Sequence, residues 1–340
     1  MKREGPVIIN VVSGKGGTGK SLLCAVLGRL LAQESARILL VDLDVHVRGL
    51  TYFFYVYSKE KRKITRETTI ADFLGLSRRR RGGSDLAKER FYEVDLLPSV
   101  SEMEEQLRYF DIEPKKIEKI EALFEQLRRQ PYDYVIVDNR SGVDDLVLTS
   151  CHKSDVTISV SESDPIALMT NDNLLTHLSS ENVGKVYSII NKIPFLKSFE
   201  DYERESRRYR GDFTVVGQIP FDIDLFESFG KSRLWDIANS TRYAYALAES
   251  WNKLAAREDL DLQIDMNRFQ RSRLWGAVAP TFLNRFERVS LVMGVACIVL
   301  YYVYERFLAQ GFRIVDALLV YAMIFFSVPL LRRVLTYKRK

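Results

Sequence analysis

Val7-Ile-Ile-Asn-Val-Val-Ser-Gly-Lys-Gly-Gly-Thr-Gly-Lys-Ser21 is the stretch that decides the fold of this 340-residue chain. Its first half is a near-continuous β-branched run, and from Leu22 to Ala32 apolar residues recur at helical spacing among good helix formers. A glycine-rich loop between a buried strand and a helix is the context that the G-x-x-x-x-G-K-[ST] pattern requires. Gly14, Gly19, Lys20 and Ser21 occupy its fixed positions. Glycines let backbone N–H groups close around phosphate oxygens, and a helix starting near Lys20 adds oriented amides and a positive dipole end. These electrostatics favour a polyphosphate over a neutral ligand. Lys20 is expected to reach the β- and γ-phosphates and Ser21 to ligate Mg2+.

Lys15 is not demanded by that general pattern. With it, Lys15-Gly-Gly-Thr-Gly-Lys-Ser21 resembles the deviant Walker A loop of the MinD/ParA family of dimeric ATPases, a family that also includes the nitrogenase iron protein and the tail-anchored-protein targeting ATPase. The resemblance implies ATP with Mg2+ as ligands and a nucleotide cradle built from Gly14, Gly16, Gly17, Thr18, Gly19, Lys20, Ser21 and Leu22. It also implies a homodimer formed through the nucleotide face, in which Lys15 crosses to the partner's nucleotide.

Further segments fit in order over about residues 5 to 255. Arg37–Val41 reads as a strand ending in Asp42-Leu-Asp44, and carboxylates at strand carboxyl ends face the ligand crevice of an open α/β sheet. By resemblance Asp44 orients or deprotonates the attacking water and Asp42 supports the Mg2+ shell; the local alternative for Asp42 is a helix N-cap. Tyr132–Asp138 is a buried strand ending in an acid, so Asp138 would hold Mg2+ through a water. The chain then departs from the family, reading Asn139-Arg-Ser-Gly142 where members commonly continue Thr/Ser-Pro-Pro/Ala-Gly. Gly142 keeps the position whose amide would sense the γ-phosphate. Val186–Ile190 ends in Asn191, by resemblance a base contact, and Val215–Ile219 leads into Pro220-Phe-Asp222, which matches the Pro-x-Asp loop beside adenine. Asn and Pro also end strands for local turn reasons.

Strands alternating with helical segments such as Lys115–Arg129 and Asp164–Leu178 predict an α/β fold with a mostly parallel, doubly wound sheet. Tyr52–Arg66, aromatic then basic, and the arginine run Arg78–Arg81 fit the family pattern less well; the arginine run reads as a solvated surface loop.

The net charge of +5 is concentrated at one end. Residues 285–340 carry nine Lys/Arg and three Asp/Glu, leaving the rest near neutral, which argues against general nucleic-acid binding. Val289–Tyr304 has no charge across 16 positions, and Leu318–Leu331 follows the same style. Neither shows the polar stripe of a soluble amphipathic helix. Each is short for a span of about 17–25 residues, a length that flanking aromatics and snorkelling arginines extend. A glycine-centred link of nine residues, Glu305–Arg313, joins them. Basic residues at both outer ends place both termini in the cytoplasm. The expected organisation is an ATPase domain over 1–255, a charged juxtamembrane connector over 256–284 and a two-helix transmembrane hairpin over 285–340, with lipid contacts at 289–304 and 314–331. The first apolar run is the strand itself, so no secretory signal is expected. Cys24, Cys151 and Cys297 have neither disulfide nor metal spacing.

These readings predict an ATPase fixed to the inner membrane that dimerises around Mg·ATP and uses hydrolysis as a switch to recruit or position a protein partner the sequence does not name. A bacterial-type tyrosine kinase and a nucleotide-binding scaffold without turnover are the alternatives.

Overall fold

Every residue of β1 (Val7–Ser13) is buried, as a strand flanked on both faces must be. The computed structural model describes residues 5–57, 68–77, 85–102, 105–107, 114–193, 214–222, 225, 241–269 and 293. Its strands β1, β2 (Ile38–Asp42), β3 (Glu89–Phe91), β4 (Val94–Leu97), β5 (Tyr134–Ser141), β6 (Val156–Glu162), β7 (Val186–Ile193) and β8 (Thr214–Pro220) form one sheet in the order β3-β4-β2-β5-β1-β6-β7-β8. All neighbours are parallel except β3 and β4, which form an antiparallel edge. The doubly wound α/β class expected from the sequence is what forms.

Alternation along the strands divides the core. Ile9 and Val11 turn to the face covered by α1 (Lys20–Gln33), α2 (Gly49–Tyr57) and the last long helix, while Ile8, Leu39, Val135 and Val137 turn to the other. That second face is covered by α3 (Ile70–Leu74), α4 (Pro114–Arg128) and α5 (Asp145–Lys153), and further along by α6 (Pro165–Ser180). Each fully buried aliphatic side chain contributes about 1.5–3 kcal/mol relative to exposure. The strand order reverses around β1, whose neighbours β5 and β6 lead to opposite sides, so the loop after β1 opens into the crevice at the switch point.

The last helix of this unit, α7 (Arg242–Glu258), starts at the Thr241 cap and ends at Asp259 in the left-handed region. The chain then folds back along it. Asn252 donates to Ile264 O at 2.8 Å and accepts from Ile264 N–H at 2.7 Å, Trp251 Nε1 donates to Leu262 O, and Phe269 is buried. Residues 256–269 thus pack on the preceding α/β unit where a connector was expected, because Ile264 and Phe269 complete its core. The chain divides into compact units at 1–269 and 270–340. Among the described residues no helix is long and apolar enough to cross a membrane. The expected hairpin at 289–304 and 314–331 lies, apart from Met293, outside those residues.

Candidate functional site

A cavity of about 490 Å3 opens at the carboxyl ends of β1, β2, β5, β7 and β8. Gly16, Gly17, Gly19, Lys20, Ser21 and Leu22 line it from the loop; Asp44, Asp138, Asn191, Pro220 and Asp222 line it from the strand ends. The structure therefore brings together most of the residues singled out in the sequence.

The loop is shaped to leave its amides open. Gly19 sits at φ +95° as the N-cap of α1, and no side chain caps that helix, so its first N–H groups face the cavity end. A Cβ on Gly19 would come within 2.5 Å of the Asn191 side chain. Lys20 is buried, and its Nζ donates to Ser13 Oγ at 2.9 Å and Ser141 Oγ at 2.7 Å. Ser141 comes from the segment where the chain departs from the family pattern, and that segment is the end of β5. Asn139 is likewise buried there, donating to Asn10 Oδ1 and Ser150 Oγ, while Arg140 pairs with Asp144 at 3.2 Å.

Asp138 stands out electrostatically. It is 1% exposed, and neither of its carboxylate oxygens has a hydrogen-bond partner. Burial pushes its proton affinity above the ordinary carboxylate range, with Lys20 and then the nearby Ser21 hydroxyl opposing the shift. It is the register partner of Asp42 on the adjacent strand, so two buried acids sit side by side. A buried carboxylate without donors calls for a cation. Asp138 with the Ser21 hydroxyl offers the hard oxygen set that Mg2+ takes alongside waters and phosphates. The residues present fit that ion.

Several expectations are redirected. Asp42 does not line the cavity: its oxygens accept from Thr51 N–H at 2.8 Å, Ser99 Oγ at 3.2 Å and Asp44 N–H at 3.2 Å. It anchors the start of α2 through Thr51, nine residues on, rather than capping a helix next to it in sequence. Gly142, at φ +98°, donates its N–H to Ser13 O at 2.9 Å, so in this conformation that amide closes the sheet and does not face a phosphate. The Asn191 amide donates to Thr18 O at 2.8 Å, and Asp222 accepts from Leu225 N–H and Tyr243 N–H; both side chains brace backbone beside the cavity. Gly14 lies under α6, where a Cβ would meet Thr170 O at 2.2 Å, and Thr18 is buried. Lys15 folds back onto its own chain, 3.1 Å from Asp164 and 3.4 Å from Glu162. The hydrogen bond that Lys15 donates to Asp164 raises its own proton affinity.

Sequence reasoning missed Gly49, Phe53, Ser141, Lys192, Phe221 and Tyr243, all of which line the cavity. Lys192 directly follows Asn191, and Ser141 lies in the altered segment, so position alone was the available signal. Asp44 lines the cavity as expected, with its Oδ1 accepting from Val47 N–H at 3.1 Å.

Residues 7–188 match the protein family described as AAA domain. The chain belongs to this family, as a P-loop ATPase of the MinD/ParA type. It is 26% identical over 186 residues to the septum site-determining protein MinD of Synechocystis, a match that takes in 55% of this chain and 64% of the relative. The chain thus spans under two thirds of that relative's length. Among solved structures it is similar to MinD from Pyrococcus horikoshii complexed with Mg-ADP, at TM-score 0.54 and 22% identity, covering 74% of this chain and 98% of the other. It is also similar to a putative plasmid partition protein from Borrelia burgdorferi bound to AMPPNP, at TM-score 0.58 and 20% identity, covering 74% and 99%. At such identities these structures establish for this MinD/ParA-type chain the fold alone.

Proposed function

We propose that this MinD/ParA-type protein is a membrane-anchored, Mg·ATP-dependent ATPase that pairs through its nucleotide face and uses hydrolysis as a switch to recruit or position a partner protein. The observation that carries the reading is the unpartnered Asp138 carboxylate, which shares a cavity with Lys20, Ser21 and the uncapped start of α1. The nucleotides named with the similar Pyrococcus and Borrelia structures support an adenine nucleotide as the ligand.

Ser21 and, through a water, Asp138 would hold Mg2+, which neutralises charge on the β- and γ-phosphate oxygens. The loop amides bind the phosphates, and Lys20, positioned by Ser13 and Ser141, stabilises charge on the transferring group. Asp44 orients the water that attacks the γ-phosphorus as the bond to the bridging oxygen breaks. Catalysis is thus positioning and electrostatics. The engagement of the Gly142 amide with Ser13, and of Asp44 with its own turn, supports a slow basal rate that a partner raises. The apolar segments 289–304 and 314–331 would anchor the chain in the inner membrane with both termini cytoplasmic. A permanent anchor leaves partner recruitment, rather than membrane attachment, as the switched quantity.

The test is Mg·ATP turnover by the full chain in lipid vesicles. Hydrolysis abolished in Lys20→Ala and in Asp44→Ala, with Asp44→Ala still binding nucleotide, is the expected result. Binding without turnover, with lipid and in its absence, supports the scaffold reading instead. Extraction of the chain from membranes by alkaline carbonate would refute the anchor.

A further inference from the structure

Asn191 and Lys192, at the end of β7, reach back to two successive carbonyls of the glycine-rich loop. Asn191 Nδ2 donates to Thr18 O at 2.8 Å, and Lys192 Nζ donates to Gly17 O. Lys192 adopts φ +56°, a left-handed conformation that few residues other than glycine take up, and its N–H is held by Asn191 Oδ1 at 2.9 Å. Glu162 fixes the same ammonium from the other side at 2.6 Å, and its second oxygen lies 3.4 Å from Lys15 Nζ.

The peptide unit is planar and trans, so each carbonyl points opposite to the N–H of the next residue. Drawing the Gly17 and Thr18 carbonyls toward β7 therefore turns the N–H groups of Thr18 and Gly19 to the other side of the loop. An anion at the start of α1 is recognised by such amides. A local pair that holds two consecutive carbonyls, one of them with a charge-assisted bond, fixes the loop before any ligand arrives. The side chain of Asn191, a base contact by family resemblance, is engaged with the loop.

We infer that Lys192, together with the Asn191 amide, is a positioning residue for the polyphosphate: the pair holds the loop amides in their anion-binding arrangement. The inference rests on the nucleotide reading of the site. Its test is titration calorimetry on the full-length protein in detergent with inorganic tripolyphosphate, Mg·ATP and Mg·GTP. Lys192→Met, which keeps the aliphatic stem, should weaken tripolyphosphate and Mg·ATP in parallel by about tenfold, the size expected for one charge-assisted hydrogen bond. The ratio of ATP to GTP affinity should stay within about twofold, and Lys192→Arg should restore most of the loss, because the donor and charge return. Asn191→Ala should weaken tripolyphosphate as well. Glu162→Gln, which loosens the ammonium without removing it, gives a smaller parallel loss and serves if Lys192→Met does not fold. For Lys192→Met, unchanged tripolyphosphate affinity, or a shift in the ATP-to-GTP ratio, overturns the inference, as does a lowered melting temperature with affinities intact. A parent protein that binds none of the three ligands overturns the nucleotide reading itself.

Discussion

Lys15 Nζ lies 3.1 Å from Asp164 Oδ2 of the same chain, and Asp164 also caps α6 by accepting from Ala167 N–H. The lysine that marks this family of loops is therefore tied down within the unpaired protein. Its carbonyl accepts from Ser13 Oγ, but its side chain pairs with Asp164 and Glu162, so truncating that side chain leaves the loop's own bond in place. Lys15→Ala is expected to leave monomer binding of Mg·ATP within about twofold while weakening ATP-dependent pairing by tenfold or more, about 1.4 kcal/mol. Light scattering against protein concentration measures it, and unchanged pairing refutes the dimer assignment.

Asp138→Asn separates function from stability. The substitution removes a buried charge that desolvation disfavours by more than Lys20 and Ser21 offset, so the melting temperature without Mg2+ should rise by a few degrees, as for a gain of about 1 kcal/mol. Mg2+-dependent turnover should fall by about a hundredfold or more. Calorimetric melting paired with phosphate release checks both signs.

Gly49→Ala probes the close approach of α2 to the loop. A Cβ there would lie 2.5 Å from Ser21 Oγ, so the hydroxyl must move. Helix propensity alone favours alanine by about 1 kcal/mol. We expect unchanged or raised melting together with a Mg·ATP affinity about tenfold lower, read by calorimetric titration.

Glu258, at the end of α7, pairs with Lys185 at 2.7 Å and accepts from the Tyr187 hydroxyl. Burial pushes its carboxyl up, but the Lys185 and Tyr187 bonds outweigh it and hold the group below the usual carboxylate range. A depressed folded value means that the stabilisation is complete above the unfolded value of about 4.3 and is lost as pH falls through the folded one. Glu258→Gln should therefore cost about 1–3 kcal/mol near neutral pH, with the gap to the parent closing below about pH 4. Denaturant unfolding at a series of pH values measures the difference.

Much of the site was legible because it is local. The loop from Gly14 to Ser21 carries its chemistry in consecutive residues, and Asp44 and Asp138 each end a hydrophobic run that can only be a buried strand. Asp42 shows where that reasoning stops. Its neighbours in sequence point to the crevice, yet Thr51 and Ser99, 9 and 57 residues away, capture its carboxylate. Asn191 is similar, since the carbonyl it binds is 173 residues distant. The boundary at residue 255 came from the reach of the family resemblance, whereas the fold-back of 260–269 depends on Asn252 and on the room left for Phe269 in the core.

The sequence by itself determined the strand–loop–helix unit, the parallel α/β class, the cation–carboxylate composition of the crevice and the apolar character of the carboxyl-terminal segments. Hydrophobic periodicity and glycine placement act over a few residues, and those features need nothing more. Only the tertiary structure decided which polar groups are satisfied. Thr18 O takes Asn191, Ser13 O takes Gly142, Lys15 takes Asp164, and Asp138 is left without a donor. Buried polar groups must find partners wherever the folded sheet brings them, and that proximity is a property of strand order, not of neighbouring residues in the chain.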